Sequence, residues 1–365
     1  MIDNKTIAVV VPAYNEAKQI KMVLDTMPDF VDRIIVVNDC SSDETAYVVS
    51  AFIENDTIPA RPIAFKNKKI KKTKYNNADI VSQQINNTES LKFTPCDISE
   101  KETQNNRVIL INHLKNSGVG AAIATGYHWT RDHHIDCTAV MAGDGQMDPD
   151  ELESICKPVV MGEADYVKGN RLIHRSALLV VPKIRYLGNS ILTILTKFAS
   201  GYWHVSDTQT GYTAISLDAL NAIRIHHIYK SYGMPNDMLV KLNIAMCSIK
   251  EIPIKPVYNV GESSKMKIMK VIPKVSLLLF KSFFKRLWLK YFFRNFHPLF
   301  LLFHMGLILI LISTNYAYKI IHKEIMDIPV PEATMLAFFF LFISGFQSIL
   351  FSFWMDIQDN ERLYK

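Results

Sequence analysis

The sequence holds no pattern from which a disulfide framework could be built. Its five cysteines, Cys40, Cys96, Cys137, Cys156 and Cys247, are odd in number, widely scattered and without a CxxC pair. That also argues against a structural zinc site and suits a reducing compartment. No secretory leader is expected either: the first apolar run, Thr6–Val11, is far too short for one and leads straight into a turn. Acidic residues are absent between Lys265 and Arg294, where nine lysines and arginines stand without an Asp or Glu. The formal charge of +6 is therefore concentrated rather than spread. Such a run suits nucleic acid or an anionic membrane. The aromatics within it and the apolar segments after it argue for the membrane and against nucleic acid.

Those apolar segments are Pro298–Ile312, extendable to Ile321, and Met335–Trp354, the second with no charge between Glu332 and Asp356. Each is long enough to cross a hydrocarbon layer of about 30 Å. The 365 residues then divide into a soluble-type unit over 1–260, a basic amphipathic interface segment over 261–296, two spans over 297–356 and a tail over 357–365. Cations flank the spans at Lys281–Arg294 and at Arg362 and Lys365, whereas Lys319 and Lys323 between them are offset by Glu324, Asp327 and Glu332. The expectation is a multi-pass protein of the cytoplasmic membrane with both termini cytoplasmic.

Within 1–260, β-branched runs alternate with helical spacing. Thr6–Val11, Arg33–Val37, Val108–Ile111, Thr138–Ala142, Tyr166–Lys168 and Tyr212–Ile215 read as strands. Asn15–Met27, Thr45–Phe52, Gly118–Trp129, Glu151–Met161, Lys183–Ser200 and Asn236–Cys247 read as helices. This alternation predicts a doubly wound α/β domain that binds ligand at the carboxyl ends of its strands. Residues from about 56 to 106 break it. They are rich in Lys, Asn, Thr and Gln, including Lys66–Lys74 and Gln83–Glu89, and read as an inserted, mobile loop region.

Polar motifs stand where strands end. Pro12–Ala13–Tyr14–Asn15–Glu16 follows the first, and Asn38–Asp39–Cys40–Ser41–Ser42–Asp43 the second. Carboxylates and a tyrosine there suit a base and a ribose, although turn and N-cap chemistry also favours Asn, Asp and Ser. Asn116–Ser117–Gly118–Val119–Gly120 forms a glycine-rich helix entry through which a ligand could approach the backbone. In Gly143–Asp144–Gly145–Gln146 two oxygen-bearing side chains share one open turn. They suit a hard cation such as Mg2+ or Mn2+, which keeps waters and substrate phosphates as its remaining ligands, and equally a polar turn.

Taken in order, PAYNE, VVNDCSSDET, NSGVGAA, AGDGQMDPDE, GNR and DTQTGYTA resemble the family 2 glycosyltransferases, and within them the membrane-anchored polyprenyl-phosphate hexose synthases. The resemblance implies a GT-A (nucleotide-diphospho-sugar transferase) fold, a UDP- or GDP-sugar donor, Mg2+ or Mn2+, and inversion at the anomeric carbon. It implies nucleotide contacts at Pro12, Tyr14, Glu16 and Asp39, with Gly118, Gly120 and Asp144 completing the donor site, and a metal on Asp144 and Gln146. Arg171 and Arg185 match arginines that face the donor and acceptor phosphates, a task suited to guanidinium. Asp207 matches an acid near the sugar, and Asp237 stands roughly where relatives place a catalytic acid. Ala142 replaces the first Asp of the DxD motif, Asn38 the first Asp of the usual DD pair, and no QxxRW motif of processive synthases occurs.

The function so implied is transfer of a hexose-type sugar to a membrane lipid, a polyprenyl phosphate, for cell-envelope glycan synthesis. A phosphate acceptor arrives anionic and needs no strong base; a hydroxyl acceptor would need one, from Asp207 or Asp237. Extension of a lipid-linked sugar at its hydroxyl, and an inactive nucleotide-sugar-binding partner subunit, are the alternatives. Association of the chain with further copies of itself is left open.

Overall fold

The structure, a computed structural model, describes residues 1–56, 58, 60, 61, 72–98, 106–181, 183–258 and 268–365, without the side chains of 178, 183–185, 187 and 268–270. In chain order it contains β1 (Ile7–Ala13), α1 (Ile20–Asp25), β2 (Arg33–Asn38), α2 (Thr45–Asn55), α3 (Asn77–Ser90), β3 (Cys96–Ile98), β4 (Val108–His113), α4 (Val119–Asp132), β5 (Cys137–Val140), α5 (Leu152–Val160), β6 (Tyr166–Asn170), α6 (Ala177–Val180), α7 (Lys183–Ser200), β7 (Thr213–Ser216), α8 (Leu217–Ala222), α9 (Met234–Ile244), β8 (Ile249–Pro253), α10 (Ile268–Trp288), α11 (Pro298–Ile325) and α12 (Glu332–Glu361). The strands form one mixed sheet in the order β3-β4-β2-β1-β5-β7-β6-β8.

Every residue of β1 is buried, because helices cover both faces of the sheet. Its side chains alternate: Ala8 and Val10 join one core cluster, Ile7, Val9 and Val11 the other. β4, β2, β1 and β5 run parallel, so their carboxyl ends share one edge. β7 runs antiparallel to both β5 and β6. That reversal was not readable from strand composition, which carries no direction.

The described part of 56–106 is largely exposed, as its composition suggests, but it is not all loop. α3 and β3 occupy it, and β3 adds an antiparallel edge to β4 through Cys96↔His113. Glu89 at the end of α3 is buried, 3.3 Å from His226 and 3.8 Å from Arg131. The Phe93 ring lies 4.3 Å from that of His128. One carboxylate and one aromatic anchor the segment, too sparse a signal to stand out among Asn and Gln. Of the basic run Lys66–Lys74, residues 66–71 lie outside the described ones.

α11 and α12 are each long and apolar enough to cross a membrane. They pack as a close pair: a Cβ on Gly306 would stand 2.7 Å from the Gly345 carbonyl oxygen. The foot of α12 is fastened to the sheet domain by buried charge. Arg286 donates to both oxygens of Asp356 (2.6 and 2.9 Å) and to the carbonyl of Ala199 (2.9 Å), while Trp203 and Tyr291 also donate to Asp356 (3.1 and 2.7 Å). Lys290 pairs with Asp359 at 3.1 Å. Arg286 and Lys290 are thus buried structural cations, and among the described side chains of the basic run Lys274, Lys281, Lys285 and Arg294 are exposed. Beyond α12 the tail returns to the sheet, where Ile249 N–H donates to Leu363 (2.7 Å) and Lys365 N–H to Ile249 (2.9 Å).

Asp356→Leu is expected to destabilise the protein by about 3–5 kcal/mol, because the Arg286 charge would be left buried and unpaired. Replacing both partners, Arg286→Met with Asp356→Leu, should recover most of the loss in thermal unfolding. A silent single variant would contradict this docking role.

Candidate functional site

The first two polar motifs are sewn together at the carboxyl edge. Asn15 sits at φ 55°, and its N–H donates to Ser41 Oγ (2.9 Å) while its Oδ1 accepts from Ser42 N–H (2.8 Å). Glu16 N–H donates to Thr45 Oγ1 (2.9 Å) and Ala17 N–H to Asp43 Oδ2 (3.1 Å). These bonds hold the chain through Asn15 outside helical geometry, and the first helical-type turn starts at the Glu16 carbonyl, which accepts from Gln19 and Ile20 N–H (3.0 and 2.9 Å). They explain why α1 begins at Ile20 rather than at Asn15 as its apolar spacing suggests.

Asp39 is 2% exposed and stands at a junction of three elements. Its Oδ1 bonds His113 Nδ1 (2.8 Å) and accepts from Ser117 N–H (2.9 Å); its Oδ2 accepts from Gly118 N–H (2.7 Å). Burial works to raise this carboxyl, but the His113 bond and the two amides outweigh it and hold Asp39 below the usual carboxylate range. His113 was missed in the sequence, although its place at the carboxyl end of a parallel strand was a usable signal. Asn38, the departure from the usual acidic pair, donates to Asn112 Oδ1 (2.8 Å) across the β2–β4 register.

The glycines at the α4 entry serve backbone packing. A Cβ on Gly118 would meet the Lys230 carbonyl oxygen at 2.4 Å, and one on Gly120 the Tyr229 carbonyl oxygen at 2.0 Å. Gly118, at φ 91°, also lines the cavity; Gly120 instead donates its N–H to Lys230 (3.0 Å). Gly120→Val is therefore expected to displace the 229–231 segment and to lower both thermal stability and activity. A native-like melting curve would contradict that close approach.

One cavity of about 710 Å³ opens at this edge. Pro12, Tyr14, Glu16 and Asp39 line it together with Asp144 and Gln146. An Asx-type bond from Gln146 N–H to Asp144 Oδ1 (3.0 Å), with Gly145 at φ 75°, closes the turn that carries the last two. The Gln146 amide nitrogen is buried without a hydrogen-bond partner among the described residues; as a donor it would take an acceptor such as a phosphate oxygen, and the amide Oε1 is the atom that could face a cation. No group of three His, Cys, Asp or Glu that could hold a metal occurs among those residues. The pair fits a hard cation that takes its other ligands from water and phosphate, and does not fit a closed protein cage.

Arg171 also lines the cavity. Its Nε and Nη2 donate to the two oxygens of Asp207 (2.9 and 3.1 Å), and its N–H to Oδ2 (3.1 Å). Asp207 is fully buried. Burial works to raise its carboxyl, but Arg171, aided by Lys168, holds it below the ordinary value. Lys168 donates to the Thr210 carbonyl, and burial lowers its ammonium to about 8 against the attraction of Asp207 and Glu251. Asp237 is buried as well, paired with Lys241 and accepting from Tyr229 N–H (2.8 Å), the segment that packs over Gly118 and Gly120. Neither aspartate is among the residues lining the cavity. Arg185 falls in α7, and its side chain lies outside the described residues.

The model of the family described as glycosyl transferase family 2 matches residues 8–78 and 94–224, which carry all six motifs. The chain belongs to glycosyl transferase family 2. It is a glycosyltransferase, and its sheet is of the GT-A type. Among curated proteins it is 28% identical over 288 residues to a UDP-N-acetylglucosamine–dolichyl-phosphate N-acetylglucosaminyltransferase of Methanococcus voltae, covering 79% of this chain and 97% of that one. A dolichyl-phosphate β-glucosyltransferase of Trichomonas vaginalis is 25% identical over 285 residues, covering 72% and 66%. Among solved structures, glucosyl-3-phosphoglycerate synthase of Mycobacterium tuberculosis, with Mn2+, UDP and glucosyl-3-phosphoglycerate, aligns at a TM-score of 0.45 and 16% identity, covering 78% and 80%.

Proposed function

We propose that this glycosyltransferase moves a hexose-type sugar from a nucleoside-diphosphate sugar onto a polyprenyl or dolichyl phosphate, with inversion at the anomeric carbon. One observation carries the choice of acceptor. Asp207 is sealed under Arg171 and Asp237 is tied to Lys241 and Tyr229, so the two candidate bases are both engaged in bracing. A phosphate oxygen attacks as an anion and needs no such base. The relatives' names, which specify dolichyl phosphate, support the same reading. In the proposed step the acceptor oxygen bonds to the anomeric carbon as the bond to the donor phosphate breaks, and the electron pair leaves with the nucleoside diphosphate.

The chain's own residues arrange this step. Tyr14, Glu16 and the loops held by Asp39 border the donor, while Arg171 offers a guanidinium oriented by Asp207. Bound at Asp144 and Gln146, Mg2+ or Mn2+ would supply positive charge to the departing diphosphate. Leu192 of α7 and Val271 and Ile272 of α10 give the cavity an apolar wall suited to the first part of a lipid chain.

The topology follows from packing as well as from charge. The pairing of the tail with β8 supports a domain and a C-terminus on one side of a membrane crossed by α11 and α12. The exposed lysines of α10 favour the cytoplasmic side, and a C-terminal reporter is expected to read as cytoplasmic; a periplasmic signal would overturn the assignment. The function itself is tested by offering the purified chain a panel of UDP- and GDP-sugars with polyprenyl phosphate. Sugar transfer that requires the lipid phosphate supports the reading, and transfer only to lipid-linked sugars would replace it with the hydroxyl-acceptor alternative.

A further inference from the structure

We propose that His113 is a positioning residue that sets the affinity of this enzyme for its donor, acting through Asp39 on the rim of the cavity. The inference rests on the reading of that cavity as a nucleotide-sugar site.

His113 is 3% exposed and lies behind the cavity wall. Its ring spans a gap between three elements: Nδ1 bonds Asp39 Oδ1 at the end of β2 (2.8 Å), and Nε2 bonds Thr125 Oγ1 within α4 (2.9 Å). An ionised carboxylate can only accept, so Nδ1 must carry a proton. That fixes the ring's orientation and pins Asp39 from below. Pinned in this way, Asp39 directs Oδ1 at Ser117 N–H and Oδ2 at Gly118 N–H. The neighbouring side chain, Asn116, and Gly118 itself line the cavity.

The rim is held from the opposite side too. The Lys230 carbonyl oxygen stands 2.4 Å from where a Gly118 Cβ would be, so residues 116–118 sit between the carboxylate and the 229–231 segment. In such a clamp a small rotation of Asp39 moves the rim as a unit. A residue that only supported the fold would lower the amount of active protein and hence the apparent kcat. A residue that positions the donor rim raises donor KM and nucleotide Kd instead.

The test measures UDP and GDP binding by calorimetry, and donor KM and kcat, on the full-length chain with Mg2+. Loss of the charge-assisted bond in His113→Leu is expected to raise nucleotide Kd and donor KM by about tenfold or more, with kcat at saturating donor within about threefold of wild type. His113→Asn places an amide nitrogen near the Nδ1 position and should restore Kd to within about threefold, whereas His113→Gln reaches toward Thr125 and should not. If the leucine variant fails to fold, the asparagine and glutamine variants decide alone: a higher Kd for glutamine supports the role, and equal values overturn it. Wild-type binding that all three variants preserve overturns the role of His113 only. A wild-type chain that binds neither nucleotide overturns the donor-site reading and this inference with it.

Discussion

Asp144→Ala is expected to lower sugar transfer by on the order of 10³-fold while leaving the thermal unfolding curve unchanged, since charge neutralisation of a leaving diphosphate is worth several kcal/mol. Ala142 removes the other carboxylate of the DxD pair, so no second aspartate of that motif can compensate. The side chain lies on the cavity wall, and truncation removes a ligand and the turn bond from Gln146 N–H but no core contact, while Gly145 keeps the backbone of the turn. Gln146→Ala should cost less, because a neutral amide contributes no charge. Raising the Mg2+ or Mn2+ concentration should partly rescue Gln146→Ala and not Asp144→Ala. Near-normal turnover by a folded Asp144→Ala protein would remove the metal assignment.

The second large effect concerns Arg171 and Asp207. Arg171→Ala is expected to reduce transfer by about 10²-fold or more, as loss of one preorganised donor to developing charge does elsewhere. It should also destabilise the fold by about 3–5 kcal/mol, because Asp207 would keep a fully buried charge without its main partner. Adding Asp207→Asn to that variant should restore stability and cost little further activity. On the proposed mechanism Asp207 acts on the reaction through Arg171, and two residues working as one unit do not give multiplicative losses. An Asp207 that served as a general base would give the opposite pattern, with the double variant far slower than either single one. Kinetics and thermal unfolding of the four proteins separate the two roles.

Much of this organisation was legible in residue order. The buried parallel strands announce themselves as β-branched runs, and the two long apolar helices as uncharged stretches. The motifs at strand ends also converge on one cavity: Pro12, Tyr14, Glu16, Asp39, Gly118, Asp144, Gln146 and Arg171 all line it. What was not legible is who pairs with whom. Asp207 and Asp237 look like reactive acids in a one-dimensional reading, and it is their ion pairs with Arg171 and Lys241 on which the proposed bracing role rests. Arg286 and Lys290 look like membrane-facing cations until Asp356 and Asp359, some 70 residues later, are seen beside them. The same holds for Gly120, which reads as room for a ligand and is filled by the Tyr229 carbonyl. Polar side chains carry no mark of their long-range partners, whereas apolar periodicity reports burial directly.

The central claim is that sugar is transferred to an anionic lipid phosphate without a protein base. Its most direct test is the structure of the product formed by the purified chain from its donor and polyprenyl phosphate. The account predicts one sugar joined through a phosphodiester, with the anomeric configuration opposite to that of the donor, at a rate that survives Asp237→Asn in folded protein. A product in which the new bond is a glycosidic link to a sugar hydroxyl, or one that retains the donor's configuration, would contradict it.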